Sequence, residues 1–161
     1  MSIEKVKAFF AFHGRENEVL EFSVSSATVE LAAVAVGVEP GMIAKTLSFS
    51  DNAEGCMLIV AAGDAKIDNR KFKDTFGFKA KMLSHEDALR FTGHAVGGVC
   101  PFALPEGVKV YCDSSMWRFE HVYPACGSSN SAITTRSPTL RRILRSASDP
   151  SSATRSASAS G

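Results

Sequence analysis

The sequence predicts one α+β domain followed by a polar tail. Helical and strand patterns are interspersed over the first 113 residues, and the 161-residue chain is 45% apolar, which is enough for one hydrophobic core. Near residue 135 the composition changes to Ser, Arg and Ala. We therefore expect a domain over residues 1–135 and a tail over residues 136–161.

Two helices and a strand are predicted in the first 36 residues. Apolar side chains recur at helical spacing over residues 3–13, after Ser2, which is a favourable N-cap. Residues 19–24 alternate as a strand does. Two adjacent serines then supply the N-cap of a second helix, predicted over residues 25–36 and closed by a glycine.

The middle of the chain predicts two strands, a helix and a further strand. The two strands are residues 45–50 and the apolar residues 56–63. Asp68 is placed to cap the next helix, and Gly77 is placed to end it. Residues 78–83 alternate apolar and lysine side chains, which is the pattern of a half-buried strand.

A fourth helix and a long loop follow. Ser84, with an acidic residue three positions later, is placed to begin the helix, and Gly93 is placed to end it. The loop over residues 93–107 holds four Gly and two Pro in 15 residues, and it leads into a strand over residues 108–113. A loop of this length in a compact domain is usually functional or mobile.

The C-terminal region is basic and poor in large apolar residues. Residues 1–135 hold 13 Lys and Arg against 16 Asp and Glu, a net charge of −3, whereas residues 136–161 hold five Arg against one Asp, a net charge of +4. The segment TLRRILR predicts one short amphipathic turn. Residues 146–161 contain seven Ser and four Ala, and we expect them to be disordered.

Composition disfavours several classes of protein. No apolar run approaches the roughly 18 residues that cross a bilayer, and the N-terminus lacks the features of a signal peptide. The four cysteines lie far apart, without a C-x-x-C pair or zinc-ligand spacing. We therefore expect a cytoplasmic protein with packed free thiols, no metal or cofactor, and neither DNA nor a membrane as its partner.

The common catalytic motifs are absent from the sequence: it has no G-x-S-x-G, H-E-x-x-H or P-loop, and no G-x-G-x-x-G after a strand. Two segments stand out. Lys45 begins an apolar strand, where its ammonium needs a partner unless the side chain reaches water from an edge. Gly97, Gly98 and Pro101 in GGVCP would let backbone N–H groups approach a ligand, or they form a plain surface turn.

These segments carry a resemblance to a known family. The order IAKTL, then an apolar strand ending AAGDAKID, then LSHEDALRFTGHAVGGVCPFALPEGVKVYCD resembles the YbaK/ProX family, which is also found as the editing domain of some bacterial prolyl-tRNA synthetases. The resemblance runs from about Phe22 to Gly127. It implies a mixed, curved β-sheet flanked by helices, and hydrolysis of the ester between tRNA and a mistaken amino acid.

The resemblance also implies catalytic residues. Lys45 matches the family's functional lysine, and Gly97 to Pro101 match its G-x-x-x-P loop. In the implied mechanism the ammonium holds a tRNA phosphate or the amino-acid carbonyl, while loop N–H groups stabilise the tetrahedral intermediate. A water molecule, activated by the substrate's own ribose hydroxyl, attacks. This mechanism needs neither a protein nucleophile nor a cofactor.

Further candidates are chosen for their positions near these two segments. The side chains expected to bind substrate are Phe22, Ser26, Thr28, Thr46, Asp113 and Ser128. For Asp113, a cap at the end of the strand is an equal alternative.

Contact with tRNA is predicted at the densest basic stretch of the chain. Its cations are Lys66, Arg70, Lys71, Lys73, Lys79 and Lys81. They would hold acceptor-stem phosphates or form an ordinary solvated surface, since charge without interleaved aromatic residues is weak support for RNA binding. The expected partner is the acceptor end of aminoacyl-tRNA, and an aminoacyl-tRNA synthetase is a second candidate.

Three functions remain open. The first is a trans-editing hydrolase for mischarged prolyl-tRNA, with alanyl, cysteinyl and seryl esters as candidates by resemblance. The second is a non-catalytic module that binds aminoacyl-tRNA or a synthetase in the same pocket. The third, a metal or thiol enzyme, is disfavoured by the cysteine spacing.

After about Ile133 the chain departs from the family pattern. A shifted reading frame and a natural tail are the two explanations that the sequence leaves open.

Overall fold

A five-stranded mixed sheet forms the centre of the protein. The structure is a computed structural model that describes residues 2–147 and 159–160. In the order in which they pair, the strands are β5 (Lys109–Cys112), β3 (Cys56–Ala62), β2 (Ile43–Ser50), β6 (His121–Pro124) and β8 (Thr135–Arg136). β2 is antiparallel to β3 and parallel to β6, whereas β3 and β5 are parallel and β6 and β8 are antiparallel.

Two short strand pairs and five helices complete the fold. β1 (Val19–Glu21) pairs with β7 (Ser131–Ile133), and β4 (Lys66–Ile67) pairs with β9 (Ala159–Ser160). The helices are α1 (Ser2–Phe12), α2 (Val29–Val36), α3 (Asn69–Phe76), α4 (His85–Thr92) and α5 (Ser137–Ala147). The curled mixed sheet with flanking helices confirms the predicted α+β fold. Every helix in the described part of the chain is too short or too polar to span a bilayer.

Local capping chemistry sets the bounds of α3 and α4 as predicted. The Asp68 carboxylate accepts the backbone N–H groups of Arg70 and Lys71, both at 3.0 Å. The Ser84 hydroxyl accepts from the Asp87 backbone at 3.1 Å. These bonds satisfy amide groups that have no partner inside the helix. Each helix ends at a glycine in the left-handed conformation, which that residue adopts without steric cost.

The second helix begins later than predicted. Its N-cap is Thr28, whose hydroxyl accepts from the Leu31 backbone at 3.2 Å, and not one of the two preceding serines. The Ser25 hydroxyl is used in a local turn with the Ala27 N–H group. The Ser26 backbone donates to the Ser129 carbonyl at 2.6 Å. These bonds hold residues 25–27 outside the helix.

The predicted strand over residues 78–83 is wrong. Only one isolated bridge forms, between Met82 and Phe49, with backbone bonds from Leu83 to Ser48 and from Ser50 to Lys81. The apolar side chains at the start of the segment pack on the cluster around Phe72 instead of extending the sheet. The strand predicted over residues 19–24 is likewise shorter, because after β1 the chain turns to bond with the segment before β7.

Strand β3 is buried along its whole length because the sheet is covered on both faces. On one face, Leu58 and Val60 pack in a cluster that includes α1, α5 and the long loop. On the other face, Met57 and Ile59 pack with Phe72 of α3. Alternation of side chains along a strand produces this division, since successive residues point to opposite faces.

Helix α5 continues the packed structure past residue 135. Leu140, Ile143 and Leu144 are buried in the main core cluster, so the predicted short turn is in fact an 11-residue helix. The start of α5 is fixed by Ser137, whose backbone donates to Glu120 at 2.8 Å and whose hydroxyl donates to Phe119 at 2.6 Å. Most of the segment predicted to be disordered, residues 148–158 and 161, lies outside the described residues.

We predict that Leu144→Ala lowers the free energy of unfolding by about 2–5 kcal/mol, because it leaves a cavity in the main core. Urea unfolding followed by circular dichroism measures the loss. The matched control is Leu89→Ala on α4, whose side chain is about half exposed and should cost less than about 1 kcal/mol. Equally small losses for both variants would show that α5 does not pack as described.

Candidate functional site

A cleft of about 470 Å³ opens beside the first half of β2. Residues 43–48 form one side of it, and residues 26–32 and the loop residues 96–99 form others. Side chains from residues 82–85 and from β6 and β7 complete the lining. The lining is largely apolar with a few polar groups, as is usual for a site that binds a small molecule or a small part of a large one.

Lys45 lines this cleft from the third position of β2, where its backbone pairs with Ala61 of β3. Its side chain is partly buried, and Nζ donates to the carbonyl oxygen of Ala65 and, at 3.4 Å, to that of Gly63. Both carbonyls belong to the turn that follows β3. The ammonium is therefore positioned by backbone dipoles of a neighbouring segment.

The electrostatic environment of Lys45 combines burial with nearby carboxylates. Burial lowers the pKa of Lys45 from its ordinary value of 10.5, because desolvation disfavours the charged form, while the carboxylates of Asp64 and Glu30 act in the opposite direction. No described carboxylate forms an ion pair with Nζ. An ammonium held by neutral carbonyls keeps its charge available for an anionic group.

Two hydroxyl groups in the cleft wall are buried without a hydrogen-bond partner among the described residues. They are Oγ of Ser26 and Oγ1 of Thr46, which flank the cleft from opposite segments. An unmade hydrogen bond at a buried hydroxyl costs about 1–3 kcal/mol. Because a water molecule reaches neither oxygen, these hydroxyls lie behind the surface of the cleft wall and do not face the open cleft. Thr28 also lines the cleft, although its hydroxyl is used to cap α2.

The glycine loop, Gly97 to Pro101, borders the cleft through Gly97 and Val99. Gly97 lines the cleft with φ of +95°, and neither its N–H group nor that of Val99 has a partner among residues 2–147. The Gly98 N–H group is used in a turn bond to Ala95 at 2.9 Å. A Cβ atom at Gly98 would lie 2.6 Å from the Ser128 backbone nitrogen, so this glycine permits close packing of the loop.

Besides Gly98, four of the residues predicted to be catalytic or to bind substrate do not line the cleft. They are Phe22, Pro101, Asp113 and Ser128. Asp113 is buried and caps the short 3₁₀ segment Ser114–Arg118 by accepting from the Ser115 backbone at 3.0 Å, which is the alternative role considered for it. Ser128 reaches the cleft indirectly, because its hydroxyl donates to Ser131, a lining residue, at 2.7 Å.

The predicted RNA-binding cations are all exposed, and none of them lines the cleft. Most are on α3 and on the segment after it, on the side of the sheet that carries the Phe72 cluster. Lys66 is the nearest in sequence to the turn that holds Lys45. Their assignment to RNA stays a prediction.

Four polar lining residues are absent from the predicted set: Ser48, His85, Tyr123 and Ser131. Tyr123 lies on β6 and pairs with Ile43, and sequence analysis predicts no strand there, although HVYP has an alternating burial pattern. His85 opens α4 directly after its cap. A single histidine at a helix start gives no sequence signal that separates a site residue from a surface one.

Three of the four cysteines, Cys56, Cys100 and Cys126, do not offer an activated nucleophile. All four are buried free thiols. Burial raises the pKa of Cys56 to about 11 and that of Cys100 to about 12, and it also raises the pKa of Cys126. A thiol reacts as the thiolate, so these groups are in their unreactive form near neutral pH.

Comparisons with known proteins agree with the fold. A stretch of 133 residues is 56% identical to the uncharacterized protein YwhH of Bacillus subtilis (strain 168), covering 83% of this chain and 85% of that protein. A shorter stretch of 101 residues is 27% identical to a protein of Enterococcus faecalis (strain ATCC 700802 / V583) that is provisionally named the Cys-tRNA(Pro)/Cys-tRNA(Cys) deacylase EbsC, and it covers 62% of each chain.

The fold also matches a solved structure, that of a protein provisionally described as a trans-editing enzyme for prolyl-tRNA synthetase. The TM-score is 0.84 at 24% sequence identity, with 99% of this chain and 97% of the other covered. Residues 24–143 match the model of the aminoacyl-tRNA editing domain. Because that match spans most of the chain, the protein belongs to the aminoacyl-tRNA editing domain family.

Proposed function

We propose that the protein is a hydrolase that cleaves the ester bond of mischarged aminoacyl-tRNA. The observation that carries this proposal is the partly buried ammonium of Lys45, which has no ion-pair partner among the described residues and lies in a cleft with unpartnered backbone donors. Family membership and the provisional name of EbsC support it. Hydrolysis of an ester turns its carbonyl oxygen into a negatively charged oxyanion, and hydrogen-bond donors together with a nearby cation stabilise that charge.

The ammonium of Lys45 binds the substrate by its charge. Its two present partners are backbone carbonyls, which leave one donor of the ammonium for the substrate. That donor binds either the phosphate of the terminal nucleotide or the carbonyl oxygen of the amino acid. In both cases the ester is held next to the glycine loop, so positioning supplies much of the rate enhancement.

The reaction itself is addition of water and loss of the ribose oxygen. The oxygen of a water molecule attacks the ester carbonyl carbon, and its proton is relayed through a free ribose hydroxyl of the substrate, which gives up its own proton toward the leaving ribose oxygen. The N–H groups of Gly97 and Val99 stabilise the oxyanion of the tetrahedral intermediate. The carbon–oxygen bond to ribose then breaks, the ribose oxygen takes up a proton, and free amino acid and tRNA are released.

The cleft is suited to a small amino acid. Several of its lining side chains are short, among them Ala27, Ala32 and Ala132, and the volume of about 470 Å³ must also hold the terminal nucleotide. We therefore propose that the substrates are tRNA molecules for proline that carry alanine, cysteine or serine instead, in keeping with the name of EbsC.

A panel of purified mischarged tRNAs tests the proposal. Release of the free amino acid, measured against a tRNA-only blank, is expected for at least one small amino acid on prolyl-tRNA. Binding of the tRNA without any release across the panel would instead establish the non-catalytic module.

We predict that Lys45→Ala lowers kcat/KM for deacylation by about 100-fold or more, because it removes the positioned charge. Lys45→Arg should also be impaired, since a planar guanidinium does not replace a compact ammonium. Lys109→Ala, which removes an exposed lysine outside both the cleft and the predicted RNA-binding stretch, is the matched control. Near-normal turnover of Lys45→Ala, with an unchanged circular dichroism spectrum, would remove Lys45 from the mechanism.

We predict that Gly97→Ala mainly impairs activity, whereas Gly98→Ala mainly impairs stability. Gly97→Ala should lower kcat by more than about 10-fold, because a Cβ atom would lie 3.2 Å from Ala27 and disturb the free donors. Gly98→Ala should mainly lower the melting temperature, because of its clash with the Ser128 backbone.

The control for backbone strain at Gly97 is Gly107→Ala. Gly107 has φ of +94°, close to that of Gly97, and no heavy atom lies within 4 Å of the position a Cβ atom would take. Equal loss of activity in Gly97→Ala and Gly107→Ala would mean that strain, and not the site, explains the effect.

We predict that the lysine-dependent deacylation rate falls at high pH with a midpoint below 10.5, because burial lowers the pKa of Lys45 and only the protonated form binds the substrate. The measured quantity is the wild-type rate minus that of Lys45→Ala at each pH. Asp64→Asn should move the midpoint to lower pH, because it removes a carboxylate that favours the ammonium. A midpoint unaffected by Asp64→Asn would contradict this assignment.

A further inference from the structure

A second concave surface, of about 590 Å³, lies between residues 117–120 and the first half of helix α5. We call it the arginine groove. Four arginines line it: Arg118, Arg136, Arg141 and Arg142. Glu120 is the one acidic residue in the lining, so the groove carries a formal surplus of three positive charges.

The arginines of the groove differ in how they are held. Arg118 pairs with Asp64 at 2.5 Å, and Arg136 lies 3.7 Å from Glu120. The guanidinium of Arg141 stacks over the Trp117 ring, 4.8 Å from its centroid. Arg141 and Arg142 are exposed, and neither forms an ion pair within the described ranges. Two cations are therefore free to bind an external anion.

The groove is joined to the Lys45 cleft through Asp64. The carbonyls that accept from Lys45 belong to Gly63 and Ala65, the neighbours of Asp64 in the chain. Consecutive Cα atoms are about 3.8 Å apart, so the partner of Arg118 is directly adjacent to both contacts of Lys45. The turn that holds the Lys45 ammonium therefore also holds Arg118 of the groove.

The chemistry of the groove fits a nucleic-acid backbone. Guanidinium groups bind phosphates in a bidentate manner, and a row of cations is needed to follow a chain of phosphates. Two of these guanidinium groups are held over aromatic rings, Arg141 over Trp117 and Arg118 over Phe119, each 4.8 Å from the ring centroid. The exposed lysines around α3 line neither this groove nor the Lys45 cleft.

We propose that the arginine groove binds the sugar-phosphate backbone of the acceptor end of the substrate RNA, with Arg141 and Arg142 as the principal contacts. This inference rests on the proposed function, because it takes the ligand in the cleft to be the terminus of an RNA. It assigns RNA binding to a surface different from the basic stretch that sequence analysis predicts.

The test measures binding of an acceptor-stem minihelix RNA without an attached amino acid. Fluorescence anisotropy gives its affinity at a series of NaCl concentrations. The double variant Arg141→Gln with Arg142→Gln should bind about 10-fold or more weakly at low salt. Its slope of log affinity against log salt should be smaller in magnitude by about 2, one for each phosphate that the variant no longer neutralises. The matched control, Lys71→Gln with Lys73→Gln on α3, removes the same charge and should bind almost as the wild type does.

Folding is checked in the same preparations by thermal melting. If the double variant unfolds because Arg141 no longer stacks on Trp117, the single variant Arg142→Gln replaces it, with an expected change in slope of about 1. The proposal is overturned if the groove variants bind the minihelix as tightly as the wild type. It is also overturned if the α3 variant alone loses affinity, since the lysine surface would then be the RNA face.

Deacylation assays separate this proposal from the proposed function. Groove-dependent binding of the minihelix by a protein that releases no amino acid supports the groove and rejects the hydrolase. Normal deacylation with an unchanged KM in the groove variants rejects the groove and keeps the hydrolase. Raised KM with unchanged kcat supports both, because the groove variants leave Lys45 and the glycine loop intact.

Discussion

The hydrogen bonds from the Lys45 ammonium to the carbonyls of the turn after β3 are the interaction on which the site depends. A charge inside an apolar strand is costly unless fixed dipoles replace its hydration. The turn that provides these carbonyls is itself fixed through Gly63. A Cβ atom at this position would lie only 2.1 Å from the Pro40 carbonyl oxygen, so the close approach of the two segments requires glycine. Two sheet strands and the segment before β2 are thus held together around one ammonium.

The rest of the cleft is built on this arrangement and on the burial of β3. A central strand covered on both faces gives β2 a well-packed neighbour, and its pairing with β3 fixes the backbone of Lys45 and Thr46. The glycine loop is held from the other side by its close contact with the Ser128 backbone. Rigid supports of this kind keep donors oriented before substrate arrives, which is the condition for electrostatic stabilisation of an oxyanion.

Much of this architecture is predictable from sequence where a local signal decides it. Asp68 and Ser84 are caps whose effect reaches only three residues, and β3 is an unbroken apolar run, so both kinds of element are as expected. Tyr123 is different, because it joins the cleft through a pairing between β6 and β2 that are far apart in the chain. Segment 78–83 has a strand pattern, yet tertiary packing uses its apolar residues elsewhere.

Helix α5 has two chemically distinct faces, and this couples folding to ligand binding. Leu140 and Leu144 complete the core, while Arg141 and Arg142 project into the arginine groove from the same turns. A chain in which α5 has unwound loses core packing and groove cations together. An anion bound in the groove is therefore thermodynamically linked to the helix: it raises the population of chains with α5 docked, in proportion to its concentration relative to its dissociation constant.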